Sequence, residues 1–163
     1  MDNIDFNKLW QNFVDTVTNH FMDFNGRVGR AQFWWYVAVS FAVSIVANIV
    51  GSVIPLVATV VGLALLLPNL GMLVRRLHDV GKPGIWVAIL AVPLVLTIVM
   101  GIIAALGAGL GMLWMLALFA GLAGLIWLVM IAGLIVMIYF CAQPGQAESN
   151  TYGAPPAAWS PNK

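Results

Sequence analysis

Two long stretches of this sequence carry no charge, and they constrain its fold more than any other feature. Residues 31–74 and 83–147 contain no Lys, Arg, Asp, Glu or His. Between them lies the central segment, residues 75–82, with the sequence Arg-Arg-Leu-His-Asp-Val-Gly-Lys. Because a charge in the middle of a bilayer costs about 3 kcal/mol or more, the central segment must lie in water or among lipid headgroups.

Composition indicates a membrane protein. The chain is 62% hydrophobic and 8% charged, whereas a soluble domain is about 25% charged. The net charge of +1 gives no basic field of the kind that nucleic-acid-binding proteins carry, so we expect no nucleic-acid partner. The single cysteine, Cys141, excludes an internal disulfide. With only His20 and His78 as histidines and no Cys/His cluster, we expect neither a metal nor a cofactor.

We predict an all-α integral membrane protein of four transmembrane helices, preceded by an amphipathic interfacial helix. The spans are expected at about 33–53, 56–74, 85–106 and 112–140. Pro68 should kink the second span, and a contact of Asn69 with Ser40, at similar depth in the hairpin of the first two spans, should stabilise it. The predicted parts are an amphipathic helix and turn at 1–26, a membrane domain at 27–142 and a flexible cytoplasmic tail at 143–163.

The N-terminal helix is predicted from apolar residues at helical spacing between residues 5 and 22. They are Phe6, Leu9, Trp10, Phe13, Val17 and Phe21. Such a helix can lie flat at the membrane surface, or its apolar face can pack against the inner ends of the spans. The sequence leaves both alternatives open.

In a four-span chain, all the basic residues near the spans fall on one side of the membrane. Arg27 and Arg30 precede the first span, and the central segment carries Arg75, Arg76 and Lys82, whereas the two opposite turns have no charge. The positive-inside rule therefore places both termini and the central segment in the cytoplasm. Aromatic anchors at headgroup level are expected at Trp34, Trp35 and Trp86.

The charged residues on this side form the candidate functional site. Its members are Arg27, Arg30, Arg75, Arg76, His78, Asp79 and Lys82. On a helix, Asp79 lies one turn from both Arg75 and Arg76, and pairing with two guanidiniums would keep its carboxylate ionised. The cluster could bind an anionic lipid headgroup or another phosphate. Alternatively, it serves only topology and folding. A lone His–Asp pair is a weak enzyme signal, so no catalytic residue is assigned.

Three motifs occur in order along the chain: Phe-x-Gly-Arg-x-x-Arg-x-x-Phe-Trp at 24–34, Arg-Arg-Leu-His-Asp-x-Gly-Lys at 75–82, and Asn-x-Tyr-Gly-x-x-Pro at 150–156. They resemble the signatures of a bacterial inner-membrane family catalogued as domain of unknown function 805. The resemblance implies a small multi-pass protein of the inner membrane. It implies no established reaction, substrate or cofactor. We further predict that the two arginine motifs and the tail motif form one cluster on the cytoplasmic face.

Two functional hypotheses follow. The first is a non-enzymatic membrane scaffold, or a protein that binds anionic lipid headgroups or a partner protein at the cytoplasmic face. The second is a lipid-active enzyme or a small-solute permease that uses the charged cluster. Membrane lipids are the expected partners in either case, and association into a homo-oligomer or with a membrane partner protein stays open.

Overall fold

The computed structural model describes residues 4–162 and contains five α-helices over that range. They are α1 (Phe6–Thr18), α2 (Arg30–Gly51), α3 (Pro55–Asp79), α4 (Ala88–Gly109) and α5 (Trp114–Ala142), with a 3₁₀ turn at Gly84–Val87 before α4. No strand occurs among the described residues beyond two isolated bridges. The predicted all-α class is confirmed.

Four of these helices are long and apolar enough to cross a membrane, as predicted. They are α2 with 22 residues, α3 with 25, α4 with its preceding turn at 26, and α5 with 29. At about 1.5 Å per residue, each exceeds the hydrocarbon thickness of about 30 Å. Their apolar composition favours contact with lipid chains or with other apolar helices.

Helices α2 and α3 form a hairpin that turns at residues 52–54. Pro55 occupies the first position of α3, where its missing N–H costs nothing. Midway along the pair, Asn69 Oδ1 accepts hydrogen bonds from Ser40 Oγ at 3.1 Å and from Tyr36 Oη at 2.8 Å. The predicted Ser40–Asn69 contact is confirmed, and Tyr36 is an additional donor. Pro68 lies inside α3 and is buried.

Helix α1 packs against α2 and α3 through one face. Its buried residues are Leu9, Asn12, Phe13 and Thr16, at the spacing of an amphipathic helix. The Phe13 ring lies 5.9 Å from that of Tyr36, and Asn12 exchanges two hydrogen bonds of 3.1 Å with Gln32. This buried face agrees with the second alternative, in which α1 packs against the spans. Phe6 and Trp10 lie outside it and are exposed.

Helix α3 runs five residues past the predicted end of the second span, so the central segment begins as the last turns of a helix. It ends in a Schellman motif in which Gly81, at φ +73°, permits the left-handed turn. There the N–H of Lys82 donates to Leu77 O at 2.9 Å, and that of Gly81 donates to His78 O at 3.1 Å.

The chain divides into two compact units. The first consists of Met1–Gly84 and Cys141–Lys163, with a core formed by Phe13, Val28, Phe33, Tyr36, Leu65, Met72 and Cys141. The second is Ile85–Phe140, in which the sulfur of Met115 packs on Gly107 and Ile89 approaches Gly133. The candidate site lies wholly within the first unit.

Candidate functional site

Three segments that are far apart in the sequence meet in the first unit: the loop before α2, the end of α3 and the tail after α5. The N–H of Val28 donates to Arg75 O at 3.2 Å, which joins the loop to α3. The N–H of Gln146 donates to Asp79 O at 2.9 Å, which joins the tail to the same helix. The structure therefore brings the two arginine motifs and the tail together.

The Asp79 carboxylate lies between two buried guanidinium groups. Arg27 places Nη2 at 2.9 Å and Nε at 3.1 Å from Asp79 Oδ1, and Arg76 Nη1 donates to Oδ2. The side chains of Arg27, Arg76 and Asp79 are 1%, 0% and 2% exposed. We call these three residues the clasp. The expectation that Arg75 and Arg76 flank Asp79 is wrong for Arg75, because Arg27 from the preceding loop takes that place.

Arg27 also fixes the path of the tail. Its Nη1 donates to Glu148 O at 2.8 Å and to Gly153 O at 3.3 Å, and its Nη2 donates to Gln146 O. The Arg27 guanidinium thus faces the Asp79 carboxylate on one side and backbone carbonyls on the other. The mobility predicted for the tail stays a prediction, but residues 143–153 follow a defined path over the end of α3.

Arg76 and Arg30 bind carbonyls at the C-terminal end of α5. Arg76 Nε donates to Cys141 O at 3.0 Å and its Nη2 donates to Gln143 O. Arg30 Nη1 donates to Ala142 O at 3.3 Å. The last carbonyls of a helix have no partner within the helix, and a nearby cation also stabilises the negative end of its dipole. These arginines therefore serve as capping groups for α5.

The tail motif is built around His78 at the end of α3. The rings of His78 and Tyr152 stack, with centroids 3.8 Å apart and planes at 1°. His78 Nδ1 lies 3.2 Å from Gly26 O. Asn150 Nδ2 donates to His78 O at 2.9 Å, and Asn150 Oδ1 accepts from the N–H of Tyr152 at 2.9 Å. The Asn and Tyr of the tail motif thus both contact the second arginine motif.

Arg75 lies outside the clasp and faces the loop after α1. Its Nη1 is 3.8 Å from Asp23 Oδ2, its Nη2 is 3.2 Å from the Met72 sulfur, and its buried Nε has no hydrogen-bond partner among residues 4–162. Burial alone would raise the pKa of Asp23, but the N–H of Asn25, the His20 ring and the Arg75 charge outweigh it and hold that pKa below its usual value. The Asp23 carboxylate therefore stays ionised as the partner of Arg75.

The predicted aromatic anchors have different surroundings. Trp34 is half-buried, with its ring 5.4 Å from that of Phe33. Trp35 is also half-buried and lines an apolar groove formed by α1, α2 and α3. Trp86, in the second unit, is exposed and meets the ring of Phe140 edge-on at 5.3 Å. Their depth in a membrane stays a prediction.

Most side chains of the candidate site are buried and already bonded to other parts of the protein. Of the predicted site residues, only Arg30 is exposed and Lys82 is half-buried, whereas the other five are buried. Both Asp79 oxygens already accept from guanidiniums, so this carboxylate is not free to act as a base. Over residues 4–162, no group of three His, Cys, Asp or Glu side chains could hold a metal ion.

Residues 141–148 contribute to the site in a way that sequence reasoning missed. They contribute backbone carbonyls, which every residue type has, so the sequence carries no signal for them. Gly145 is the exception: a Cβ there would overlap the Asp79 carboxylate. A glycine directly after Pro144, in a tail thought to be unstructured, could have indicated such a close approach.

Comparison with known proteins gives the following matches. The family model described as "Protein of unknown function (DUF805)" matches residues 21–154, which include the whole clasp. Inner membrane protein YhaI of Escherichia coli (strain K12) is 29% identical over 84 residues, or 49% of this chain and 71% of YhaI. The YhaI of Escherichia coli O157:H7 matches over the same length with the same identity. No solved structure matches this chain.

Proposed function

The chain belongs to the DUF805 family, and we propose that it is a non-enzymatic membrane scaffold. In this proposal, residues 143–153 of the tail form a folded surface, the platform, that binds a partner protein. The chain is a multi-pass protein of the inner membrane, in keeping with its relationship to inner membrane protein YhaI and its four candidate spans. The platform lies on the cytoplasmic face, where the positive-inside rule puts its arginines.

The observation that carries the proposal is the use of the clasp arginines. Between them, Arg27 and Arg76 donate to Asp79, to the Cys141 carbonyl at the end of α5, and to four tail carbonyls, those of Gln143, Gln146, Glu148 and Gly153. A headgroup phosphate would have to displace these bonds, and hydrogen bonds to charged groups each contribute about 1.5–3 kcal/mol. The arrangement of these two guanidiniums therefore favours a role in holding the tail over a role in binding lipid.

Contacts between the two ends of the chain support the proposal that both termini lie on the same side of the membrane. The N–H of Asp5 donates to Pro161 O at 2.8 Å, and Lys8 Nζ donates to Asn162 O at 2.5 Å. The N-terminal helix and the end of the tail thus contact each other. With an even number of spans, both ends then share the compartment of the clasp, which we propose is the cytoplasm.

A matched pair of variants tests the role of the clasp. Arg27→Gln removes a buried guanidinium that binds the tail, and Arg30→Gln removes an exposed one three residues away. We expect Arg27→Gln to raise the rate of cleavage after Glu148 by a glutamate-specific protease at least about ten-fold, since it loses charge-assisted bonds to the tail. Arg30→Gln should leave that rate near the wild-type value.

Anionic lipid retained in native mass spectrometry separates this role from headgroup binding. The scaffold role predicts unchanged lipid in Arg27→Gln. Loss of lipid in Arg27→Gln without faster cleavage would contradict it and favour a headgroup site in the clasp. Loss of lipid in Arg30→Gln alone would support a second candidate function, headgroup binding at Arg30, whose exposed guanidinium makes one hydrogen bond within residues 4–162, at 3.3 Å.

The partner surface is tested by placing a photo-crosslinking residue at the exposed position Thr151. A scaffold predicts a defined membrane or cytoplasmic adduct in the wild-type background that disappears in Arg27→Gln, where the platform is released. The same adduct in both backgrounds would indicate that the tail binds as an unfolded peptide. No adduct in either background would contradict the scaffold role for this surface.

A further inference from the structure

Helix α2 carries a line of polar side chains through the predicted membrane. They occur at every fourth residue: Tyr36, Ser40, Ser44, Asn48 and, in the turn, Ser52. Residues four apart are neighbours on a helix surface, and each step of four turns about 40° around the axis, so these five form one polar stripe that winds gradually around α2. At about 1.5 Å per residue the stripe is about 24 Å long, most of a hydrocarbon core of about 30 Å.

A groove follows this stripe. Its inner section, of about 300 Å³, is lined by Tyr36, Ser40 and, from α3, Asn69. Its outer section, of about 540 Å³, is lined by Asn48 and Ser52. Phe41 and Ser44 line both sections, so the groove is continuous along the helix. The opposite face of α2 is different, since its groove is lined by apolar side chains, namely Ala, Val and Trp35 of α2 together with residues of α1 and α3.

Asn48 in the stripe and Asn69 beside it on α3 each have only one half of the side-chain amide engaged. Asn69 Oδ1 accepts from Tyr36 and Ser40, but no acceptor among residues 4–162 meets its Nδ2. Asn48 Nδ2 donates to Ser44 O at 2.8 Å, but no donor within the described chain meets its Oδ1. Both residues are exposed. An amide group without a hydrogen bond in hydrocarbon costs about 4 kcal/mol or more. Asn69 Nδ2 and Asn48 Oδ1 therefore both require a hydrogen-bond partner within the membrane.

The chemistry of the chain favours a second copy as that partner. Between residues 85 and 140 the second unit has no side-chain amide and no Ser, and its one threonine, Thr97, already donates its hydroxyl to Pro93 O at 2.9 Å. Its other polar groups are the phenol of Tyr139 and three indoles, those of Trp86, Trp114 and Trp127, and an indole N–H can only donate. In a second stripe the hydroxyl hydrogens are donated within their own chain, but the hydroxyl oxygens can accept, and the side-chain amides can both donate and accept. If the two-fold axis runs along the membrane normal, each asparagine meets its symmetry mate at the same depth, as a self-complementary interface requires.

We propose that the polar stripe of α2, with Asn69, is a self-association surface through which two copies of this chain pair in the membrane. Asn48 of one copy pairs with Asn48 of the other, and Asn69 bonds to amide or hydroxyl groups of the facing stripe. Interhelical hydrogen bonds of this kind are the usual polar contacts of membrane helices. The surface is separate from the clasp and does not depend on the scaffold role.

Disulfide crosslinking in native membranes tests the proposal with a matched control. Ser44→Cys places a thiol on the stripe with little change in size, and Val46→Cys places one at nearly the same depth on the opposite face. Both are made in a Cys141→Ala background. We expect at least about ten-fold more disulfide dimer for Ser44→Cys. Equal crosslinking at both positions, crosslinking at Val46→Cys alone, or none at either would overturn the proposal, the last indicating that lipid or other helices cover the stripe.

Dimer affinity provides a second readout for the asparagines. Energy transfer between labelled copies, measured during dilution into vesicles, should show dissociation constants raised about 3- to 20-fold by Asn48→Leu or by Asn69→Leu. Val46→Leu, on the opposite face, is the control and should have no effect. A variant that fails to fold would be recognised by its elution profile, and Ser44→Cys would still decide the outcome. Unchanged affinity in both asparagine variants would contradict the assigned pairing.

Discussion

Replacing Asp79 with alanine is expected to lower the free energy of unfolding by about 3–5 kcal/mol, because removing one partner of a buried ion pair leaves an uncompensated buried charge. Here two guanidiniums lose their shared carboxylate. The side chains of Arg27 and Arg76 are only 1% and 0% exposed to solvent. Their remaining acceptors are neutral backbone carbonyls of the tail, of the end of α5 and of the loop before α2. Denaturation by dodecyl sulfate in mixed micelles, followed by circular dichroism, measures the change.

The control for this variant is Glu148→Ala, which removes an exposed carboxylate from the tail while keeping the backbone carbonyl that Arg27 binds. It should change the free energy of unfolding by no more than about 0.5 kcal/mol. If Asp79→Ala and Glu148→Ala were equally mild, the clasp would not be a stabilising element and the proposed origin of the tail fold would be wrong.

The second large effect is expected from Gly145→Ala. A Cβ at this position would overlap the carboxyl group of Asp79, which cannot move aside because guanidiniums bind both of its oxygens. Overpacking a closely fitted site costs about 1–3 kcal/mol. We therefore expect the tail to be displaced, and cleavage after Glu148 by a glutamate-specific protease to be faster by ten-fold or more, at about 1.4 kcal/mol per factor of ten.

Gly29→Ala is the matched control in the same unit. A Cβ there would meet Pro156 Cγ at 3.7 Å, an ordinary contact, and the φ of −66° suits any residue. This variant should cleave at the wild-type rate. A wild-type rate for Gly145→Ala as well would show that the tail does not approach Asp79 as closely as the structure places it.

The membrane part of the fold could be predicted because hydropathy alone determines it. Long apolar stretches without charge must form helices in lipid, since only internal hydrogen bonds can satisfy their backbone. The Ser40–Asn69 contact also followed from the sequence, because a tight turn at residues 52–54 fixes the register of α2 against α3. The path of the tail could not be predicted from hydropathy, since it is polar and has no periodic pattern.

Within the charged cluster, the ion pair of Arg76 with Asp79 could be predicted from the sequence, but the partners of Arg27 and Arg75 could not. Helix spacing places both Arg75 and Arg76 within reach of Asp79, but it cannot say which of them faces the tail. That choice depends on the loop before α2, which brings Arg27 to Asp79 and leaves Arg75 to Asp23. The tail carbonyls that bind the arginines belong to residues of many types, so no residue type marks them.

Hydrogen exchange at the backbone amide of Gln146 tests the central claim most directly, namely that the clasp holds the tail against the end of α3. This N–H donates to Asp79 O at 2.9 Å although Gln146 lies outside every helix. We predict exchange slower by about 100-fold or more than in a free peptide of the same sequence, and loss of that protection in Asp79→Ala. Exchange at the peptide rate in the wild-type protein would contradict the account.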